Sequence, residues 1–358
     1  MSKGAITVLV TGGGAPGIAG TLYALRNNPD HKPVRVVACD MREDAVGKYL
    51  ADVFYVVPPG KDPNFVSALL DIAEREHVSV ILPQVTDELL ALASNIEKFL
   101  AQGINIAVSS ETSIKRANDK WLVLEAAKSC GVPIPHSVLT RSAETLVESV
   151  RALGYPEKRV VVKPRVSSGL RGLRVLSNKT WDVMRFLNEK PEPMEISLEE
   201  LLSILHKGEW PELIVQEYLP GPEYTVDVFR GRCGAIAIPR LRKEMRSGIT
   251  FRAQVELREN LQSFALRLAD ELELKYAFGF QFKLSEEGIP KVLECNPRIQ
   301  GTMITAVFAG CNVIWWAVKE ALAEEILLPE KVKADGLQFI RYWGGIAVYN
   351  DGTVAEPI

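Results

Sequence analysis

The sequence predicts a mixed protein, α/β in its first third and α+β beyond. Three observations predict it. Short apolar runs at 5–10, 34–39, 53–56, 78–82 and 105–108 alternate with stretches whose apolar residues recur at helical spacing. The runs are apolar at consecutive positions, as strands buried on both faces of a helix-covered parallel sheet are. Beyond residue 110, β-rich runs face one another across glycine or proline turns at 159–175, 213–227 and 278–298.

At 358 residues the chain is long enough for two or three domains. Its net charge of -3 gives no basis for binding nucleic acid or a membrane surface. The five cysteines, Cys39, Cys130, Cys233, Cys295 and Cys311, include no CxxC pair, so neither a zinc site nor a disulfide framework is expected. The four histidines offer no metal spacing, and His31 and His77 are expected in surface loops. No run approaches the ~20 apolar residues of a membrane helix. The first residues do not read as a signal peptide, so a reduced cytoplasmic setting is expected.

The first third, residues 1–110, reads as a Rossmann-like domain. Its helices are expected at 17–27, 64–76 (apolar at 65, 66, 69, 70 and 73) and 87–99. Ligands of such sheets sit at the carboxyl ends of the strands. Three segments lie there: the turn 12–17, residues 40–44 and residues 84–88. The turn reads Gly12-x-Gly14-x-x-Gly17, a dinucleotide fingerprint, and Asp40 could accept a ribose hydroxyl. The same glycines also serve where a strand must turn tightly into a helix.

Next comes a helix or helix pair at 113–130, ended by Gly131 and the prolines Pro133 and Pro135. A strand at 136–139 and a helix at 143–153 lead to the strand 159–164, which carries Lys163. The loop after it holds Ser167, Ser168, Gly169, Arg171 and Gly172. It reads as a backbone cradle for phosphate beside a lysine, or as a hairpin turn with a solvated lysine. It is no Walker loop. A helical insertion is expected at 181–208. The segment 213–227 breaks at Pro220-Gly221-Pro222; it reads as a hinge whose strand-edge backbone can pair with a flat base, or as a structural hairpin. In the last pair of strands Gln281 sits on the first, and Glu294 and Asn296 alternate on the second and so share one side, as a donor set or as a merely solvent-exposed polar face. Such an oxygen-only set suits Mg²⁺ shared with phosphates. Residues 336–353 read as a further β-hairpin.

These motifs, Asp119-Lys120-Trp121, 131–135, 161–175, 214–228, 278–284 and 292–298, occur in an order that resembles the ATP-grasp superfamily over roughly 110 to 325. The resemblance is in particular to the carbamoyl-phosphate synthase large-chain type, where a Gln takes the first metal position, as Gln281 does. It implies a pre-ATP-grasp domain over 1–110 and an ATP-grasp domain over 111–358, with a mobile lid at about 135–215. Lys120 and Lys163 would then bind ATP phosphates, under a loop of Ser167, Ser168, Gly169, Arg171 and Gly172. Gln216 and the chain at Glu217, Tyr218 and Leu219 would hold adenine, and Glu223 the ribose. Gln281, Glu294 and Asn296 would hold Mg²⁺ (or Mn²⁺). Arg298 would stabilise the transferred phosphoryl group, and Arg240 with Arg242 would clamp a carboxylate, unless they form a basic strand end on the surface.

In that family the N-terminal domain lines a substrate cleft and holds no NAD. Gly13 and Gly14 would then meet an anionic group, while Asp87 and Glu88 would meet an amine or sit at a solvated helix N-terminus. The implied activity is a stand-alone, ADP-forming carboxylate–amine (or carboxylate–thiol) ligase acting on small molecules through an acyl phosphate. Nucleic acid and membrane are not expected partners, and a homodimer is compatible. The alternatives are phosphorylation of bicarbonate or carbamate, and a nucleotide-binding regulatory subunit without turnover. An NAD-linked oxidoreductase is disfavoured. The chain departs from the synthase large chains in carrying one such half, no glutaminase segment and an insertion near 185–210.

Overall fold

The first sheet forms where the apolar runs predict it. β1 (Ile6–Val10), α1 (Ile18–Arg26), β2 (Val34–Asp40), α2 (Gly47–Leu50), β3 (Val53–Val56), α3 (Phe65–Arg75), β4 (Val80–Leu82), α4 (Thr86–Ala93), α5 (Ile96–Leu100) and β5 (Asn105–Ile106) precede α6 (Glu111–Asn118). The five strands are parallel, in the order β3-β2-β1-β4-β5, with Val8 opposite Val36 on one side and Val80 on the other. The order reverses between β1 and β4, so the strand ends there open a crevice. The expected single helix at 87–99 is two. Ser94 Oγ and Asn95 Nδ2 donate to the carbonyls of Leu90 and Ala91, and short polar side chains that bond back in this way break a helix.

The computed structural model describes residues 5–167, 169–179, 182–189, 194–342, 344–349 and 351–354. The chain divides into two compact units: Met1–Asn118 with Pro222–Phe282 and Glu294–Ile358, and Asp119–Gly221 with Lys283–Leu293. The expected lid, 135–215, falls inside the second unit.

The second unit opens on α7 (Lys120–Ser129), separated from α6 by Asp119, whose carboxylate caps it through Trp121 N and Leu122 N. β6 (Ser137–Thr140), α8 (Ala143–Ala152), β7 (Val160–Pro164), β8 (Arg174–Leu176), α9 (Val183–Asn188), β9 (Glu195–Ile196), α10 (Leu198–Leu205) and β10 (Leu213–Glu217) follow. The sheet order is β6-β10-β7-β8-β9. Its core joins Leu146, Val150, Val162, Leu176, Leu201 and Val215. β9 interrupts the insertion expected to be helical, because it pairs in parallel with β8.

The first unit resumes with β11 (Glu223–Gly231), β12 (Gly234–Arg246), β13 (Ile249–Val255), α11 (Glu259–Glu271), β14 (Tyr276–Leu284), β15 (Pro290–Asn296), α12 (Ile304–Phe308), α13 (Val313–Ala321) and β16 (Gln338–Ile340). This sheet runs β15-β14-β11-β12-β13-β16. β10 and β11 belong to different sheets, so the turn at 220–222 does not close a hairpin. The expected C-terminal hairpin is also absent among the described residues. β16 takes the edge of β13 instead, and residues 348 and 354 make an isolated bridge.

One cluster joins Val8, Val10, Leu22, Leu25, Val36 and Leu82 to Ala306, Ile314, Trp315 and Val318, so α12 and α13 help to cover the first sheet. A second joins Leu9, Val37 and Ile81 to Phe65, Leu69, Leu89 and Phe99. Each such side chain, once buried, contributes about 1.5–3 kcal/mol against exposure.

Candidate functional site

At the strand ends of the first sheet, Gly12 has φ +66°, and a Cβ there would stand 2.6 Å from Val85 Cγ2. Gly13 N donates to Cys39 O at 2.9 Å. Asp40 accepts from Gly14 N at 2.7 Å and from Arg42 N at 2.9 Å, so both its oxygens hold this turn together. A Cβ on Gly17 would stand 2.7 Å from Gly301 Cα. Arg341 ties the two segments further, donating to Pro16 O at 2.9 Å and Gly301 O at 2.7 Å. The glycines thus satisfy close packing, the second of the two uses their spacing allows.

Asp87 and Glu88 part company. Asp87 is exposed, 3.2 Å from Lys61, as at a solvated helix N-terminus. Glu88 is 6% exposed and accepts a short hydrogen bond from Thr11 Oγ1. Behind it Thr21 Oγ1 donates to Gln84 Oε1 at 2.7 Å, and Gln84 N donates to Thr11 Oγ1 at 3.2 Å. Burial pushes the Glu88 carboxyl up to about 7, with Asp40 and Asp87 adding to the rise; the Thr11 bond and Arg298 oppose it.

Gln281 on β14 and Glu294 and Asn296 on β15 are each half-buried, on neighbouring strands. Two amide oxygens and one carboxylate make a hard donor set that fits Mg²⁺, with room in its charge balance for phosphate oxygens. Arg298 donates to Thr86 Oγ1 at 2.9 Å, to Ile299 O at 3.1 Å and to Asn296 Oδ1 at 3.3 Å. Burial holds its guanidinium below the usual range, against the pull of Glu294, Cys295 and Glu88.

Arg240 and Arg242 do not form an exposed basic strand end. Arg240 is 2% exposed and donates from Nε and Nη2 to Asp227, at 2.7 and 3.3 Å; Nη1 is buried without a partner among the described residues. Arg242 makes a short ion pair with Glu223 and donates to Thr250 Oγ1 at 2.9 Å and Gly248 O at 2.6 Å. Glu223 is therefore already met by an arginine.

In the second unit Lys120 Nζ donates to Ser167 O at 2.6 Å and Oγ at 3.2 Å, and Lys163 Nζ donates to Leu293 O at 3.2 Å. Both lysines are buried, which rules out the solvated-lysine alternative for Lys163. Arg165 binds Asp119 at 2.7 Å and Glu212 at 3.0 Å, tying the loop 165–173 to the start of α7. Gly169 and Gly172 take φ +63° and +76°, Arg171 is exposed, and Ser168 lies outside the described residues.

Gln216 is buried and donates to Ser137 Oγ at 3.0 Å. Glu217 N donates to His136 O, and its carboxylate accepts from His136 N at 2.9 Å and Lys291 at 2.5 Å. The Tyr218 ring is approached by two cations, Arg159 at 3.8 Å from its centroid and Lys283 at 5.0 Å. Leu219 is buried. Sequence reasoning missed Thr11, Thr86, Arg165 and Lys291. Only Arg165, two residues after Lys163 at the start of the small-residue loop, left a local signal.

Two family models match the chain: "ATP-grasp in the biosynthetic pathway with Ter operon" over residues 209–338 and "PylC-like, N-terminal domain" over 8–107. Among curated relatives, the carbamoyl phosphate synthase large chain of Clostridium acetobutylicum is 24% identical over 285 residues, covering 76% of this chain and 24% of that one. The C-terminal section of the Aquifex aeolicus large chain is 26% identical, covering 75% and 49%. The chain thus spans about a quarter to a half of the length of these relatives.

Among solved structures, N5-carboxyaminoimidazole synthetase from Staphylococcus aureus complexed with ADP aligns with TM-score 0.68 and 17% identity, covering 91% and 80%. The biotin carboxylase domain of Hydrogenobacter thermophilus 2-oxoglutarate carboxylase, complexed with MgADP, ADP and bicarbonate, aligns with TM-score 0.69 and 18% identity, covering 93% and 73%. At these identities the likeness is one of fold. Residues 8–107 thus match a PylC-like N-terminal domain, and residues 209–338 match an ATP-grasp domain.

Proposed function

We propose that the chain is an ATP- and Mg²⁺-dependent ligase that joins a small carboxylic acid to an amine (or a thiol) through an acyl phosphate, releasing ADP and phosphate. The observation that carries this reading is the oxygen ladder Gln281, Glu294 and Asn296, with Arg298 bonded to its last rung, on a chain with an ATP-grasp domain. Mg²⁺ held there (or Mn²⁺) supplies charge neutralisation on the phosphates. Arg298 adds a cation where the transferred phosphoryl group and the acyl phosphate carry charge.

Lys120 and Lys163 bind phosphate oxygens, and the loop of Ser167, Ser168, Gly169, Arg171 and Gly172 covers them as part of a lid at 135–215. Gln216, Glu217, Tyr218 and Leu219 take the adenine. Glu217 N is already engaged by His136 O, which leaves side chains and carbonyls for the base. Glu223 would reach the ribose, and Arg240 and Arg242 a substrate carboxylate, only by exchanging their present partners. Gly13, Gly14 and Glu88 line the substrate side. Positioning and electrostatics carry the phosphoryl transfer.

A second reading, phosphorylation of bicarbonate or carbamate, is favoured by the two synthase relatives. One experiment separates the two. The chain is mixed with Mg-ATP and panels of acids and amines, or with bicarbonate alone, and ADP and phosphate are measured. The ligase releases both only when an acid and a nucleophile are present together. Release with bicarbonate alone supports the second reading. Absence of release under every condition overturns both.

A further inference from the structure

We propose that Glu88 is the proton acceptor for the amine nucleophile, an assignment that rests on the ligase reading above. Five carboxylates stand on the segments at these strand ends, and the structure separates them: Glu43 and Asp44 are exposed and paired with Lys48 and Arg42. Asp87 is exposed and paired with Lys61. Asp40 spends both oxygens on the backbone N–H groups of Gly14 and Arg42. Glu88 alone is withdrawn from solvent with one oxygen fixed and one not. Oε2 accepts from Thr11, whereas Oε1 accepts no hydrogen bond among the described residues and is not one of their sealed polar atoms.

The stem of Glu88 is held as well. A Cβ on Gly60 would stand 2.7 Å from its Cγ, so the 57–61 segment backs the side chain. The relay Thr21–Gln84–Thr11 fixes the hydroxyl that points at it. Among the described residues, the charged and titratable groups acting on it are Asp40 and the buried Cys39 thiol from β2, Asp87 from its own helix, itself paired with Lys61, and Arg298 after β15. Asp40 draws an ammonium inward, and burial makes Glu88 basic enough to take its proton near neutral pH.

The step balances. R–NH3⁺ gives one proton to the Glu88 carboxylate, leaving R–NH2 and a neutral carboxylic acid. The freed electron pair forms the C–N bond at the acyl carbon. The C–O bond to phosphate breaks, and phosphate leaves with the electron pair of that C–O bond. The second proton of the new ammonium goes to the departing phosphate, and Glu88 returns its proton to solvent.

The test compares two nucleophiles with the full chain, Mg-ATP and each of the twenty common amino acids as the acid. Hydroxylamine is largely neutral at pH 7 and traps an acyl phosphate without a base; methylamine is cationic and needs one. In the wild type, kcat/KM with methylamine should rise with pH through about 7, since Glu88 must be ionised to accept a proton. In Glu88→Gln that acid limb should vanish, and methylamine ligation should fall about 100-fold more than hydroxamate formation. Glu88→Asp should restore part of the loss. Equal losses with both nucleophiles, or an unchanged acid limb, overturn the proposal while the ligase reading stands. A wild type that forms neither hydroxamate nor amide overturns the ligase reading, and the proposal with it.

Discussion

Arg240 and Asp227, on the neighbouring strands β12 and β11, form an ion pair that solvent hardly reaches, with Nε 2.7 Å from Oδ2 and exposures of 2% and 0%. Burial pushes the Asp227 carboxyl up, and Arg240 opposes that rise. Removing one partner leaves a buried charge uncompensated, whereas removing both does not. Asp227→Ala should therefore cost about 3–5 kcal/mol in urea unfolding, and the double change Asp227→Leu with Arg240→Met should cost much less. A single-variant loss below about 1 kcal/mol would mean the pair contributes little.

Glu88 makes stability depend on pH. Its folded value, about 7, lies above its ordinary value of 4.5. The protonated form is therefore favoured by folding. The contribution is full below about 4.5, falls as pH rises and is lost above about 7. The span amounts to about 3 kcal/mol at most. Glu88→Gln, which cannot ionise, should gain Tm over the wild type at pH 8 and show no such gain at pH 5. A pH-independent difference would refute the assignment.

Gly17→Ala tests the packing role of the opening turn. The new methyl would meet Gly301 Cα at 2.7 Å, a backbone atom that cannot swing aside. A loss of about 1–3 kcal/mol is expected in thermal unfolding. An unchanged Tm would show that the two segments are not in contact in solution.

Glu294→Ala should remove Mg²⁺-dependent turnover by about 100-fold or more while leaving the unfolding midpoint nearly unchanged, since the side chain is half-buried. Full activity in this variant would sink the metal assignment. Lys163→Ala should instead weaken ATP binding, read as a smaller nucleotide-induced Tm shift.

The regular part of the fold was legible because it is local. Continuous apolar runs mark β1, β2 and β4, and the helical spacing at 65, 69 and 73 marks α3. The breaks were harder. Ser94 and Asn95 end α4 through side-chain bonds that no periodicity reveals. β16 pairs with β13 across some ninety residues, so its partner could not be read from its own sequence. At the site, the alternation of Glu294 and Asn296 was visible. The division of labour between Asp87 and Glu88 was not, because adjacent letters give no hint that one is solvated and the other faces Thr11. Arg240 and Arg242 likewise read as available cations until strand pairing supplied Asp227 and Glu223.

The first parallel sheet owes part of its cover to α13, where Trp315 is fully buried and its Nε1 donates to Asp30 at 2.7 Å. At a ribosomal rate of 5–20 residues per second, Trp315 is made roughly 10 to 40 s after residue 110. During that interval Val8, Leu22, Leu25 and Val36 lack one of their covering layers, and the newborn chain has a sticky face to offer any holdase nearby. A cut anywhere before α13 leaves that face open for good, so the amino-terminal third on its own should be prone to aggregation.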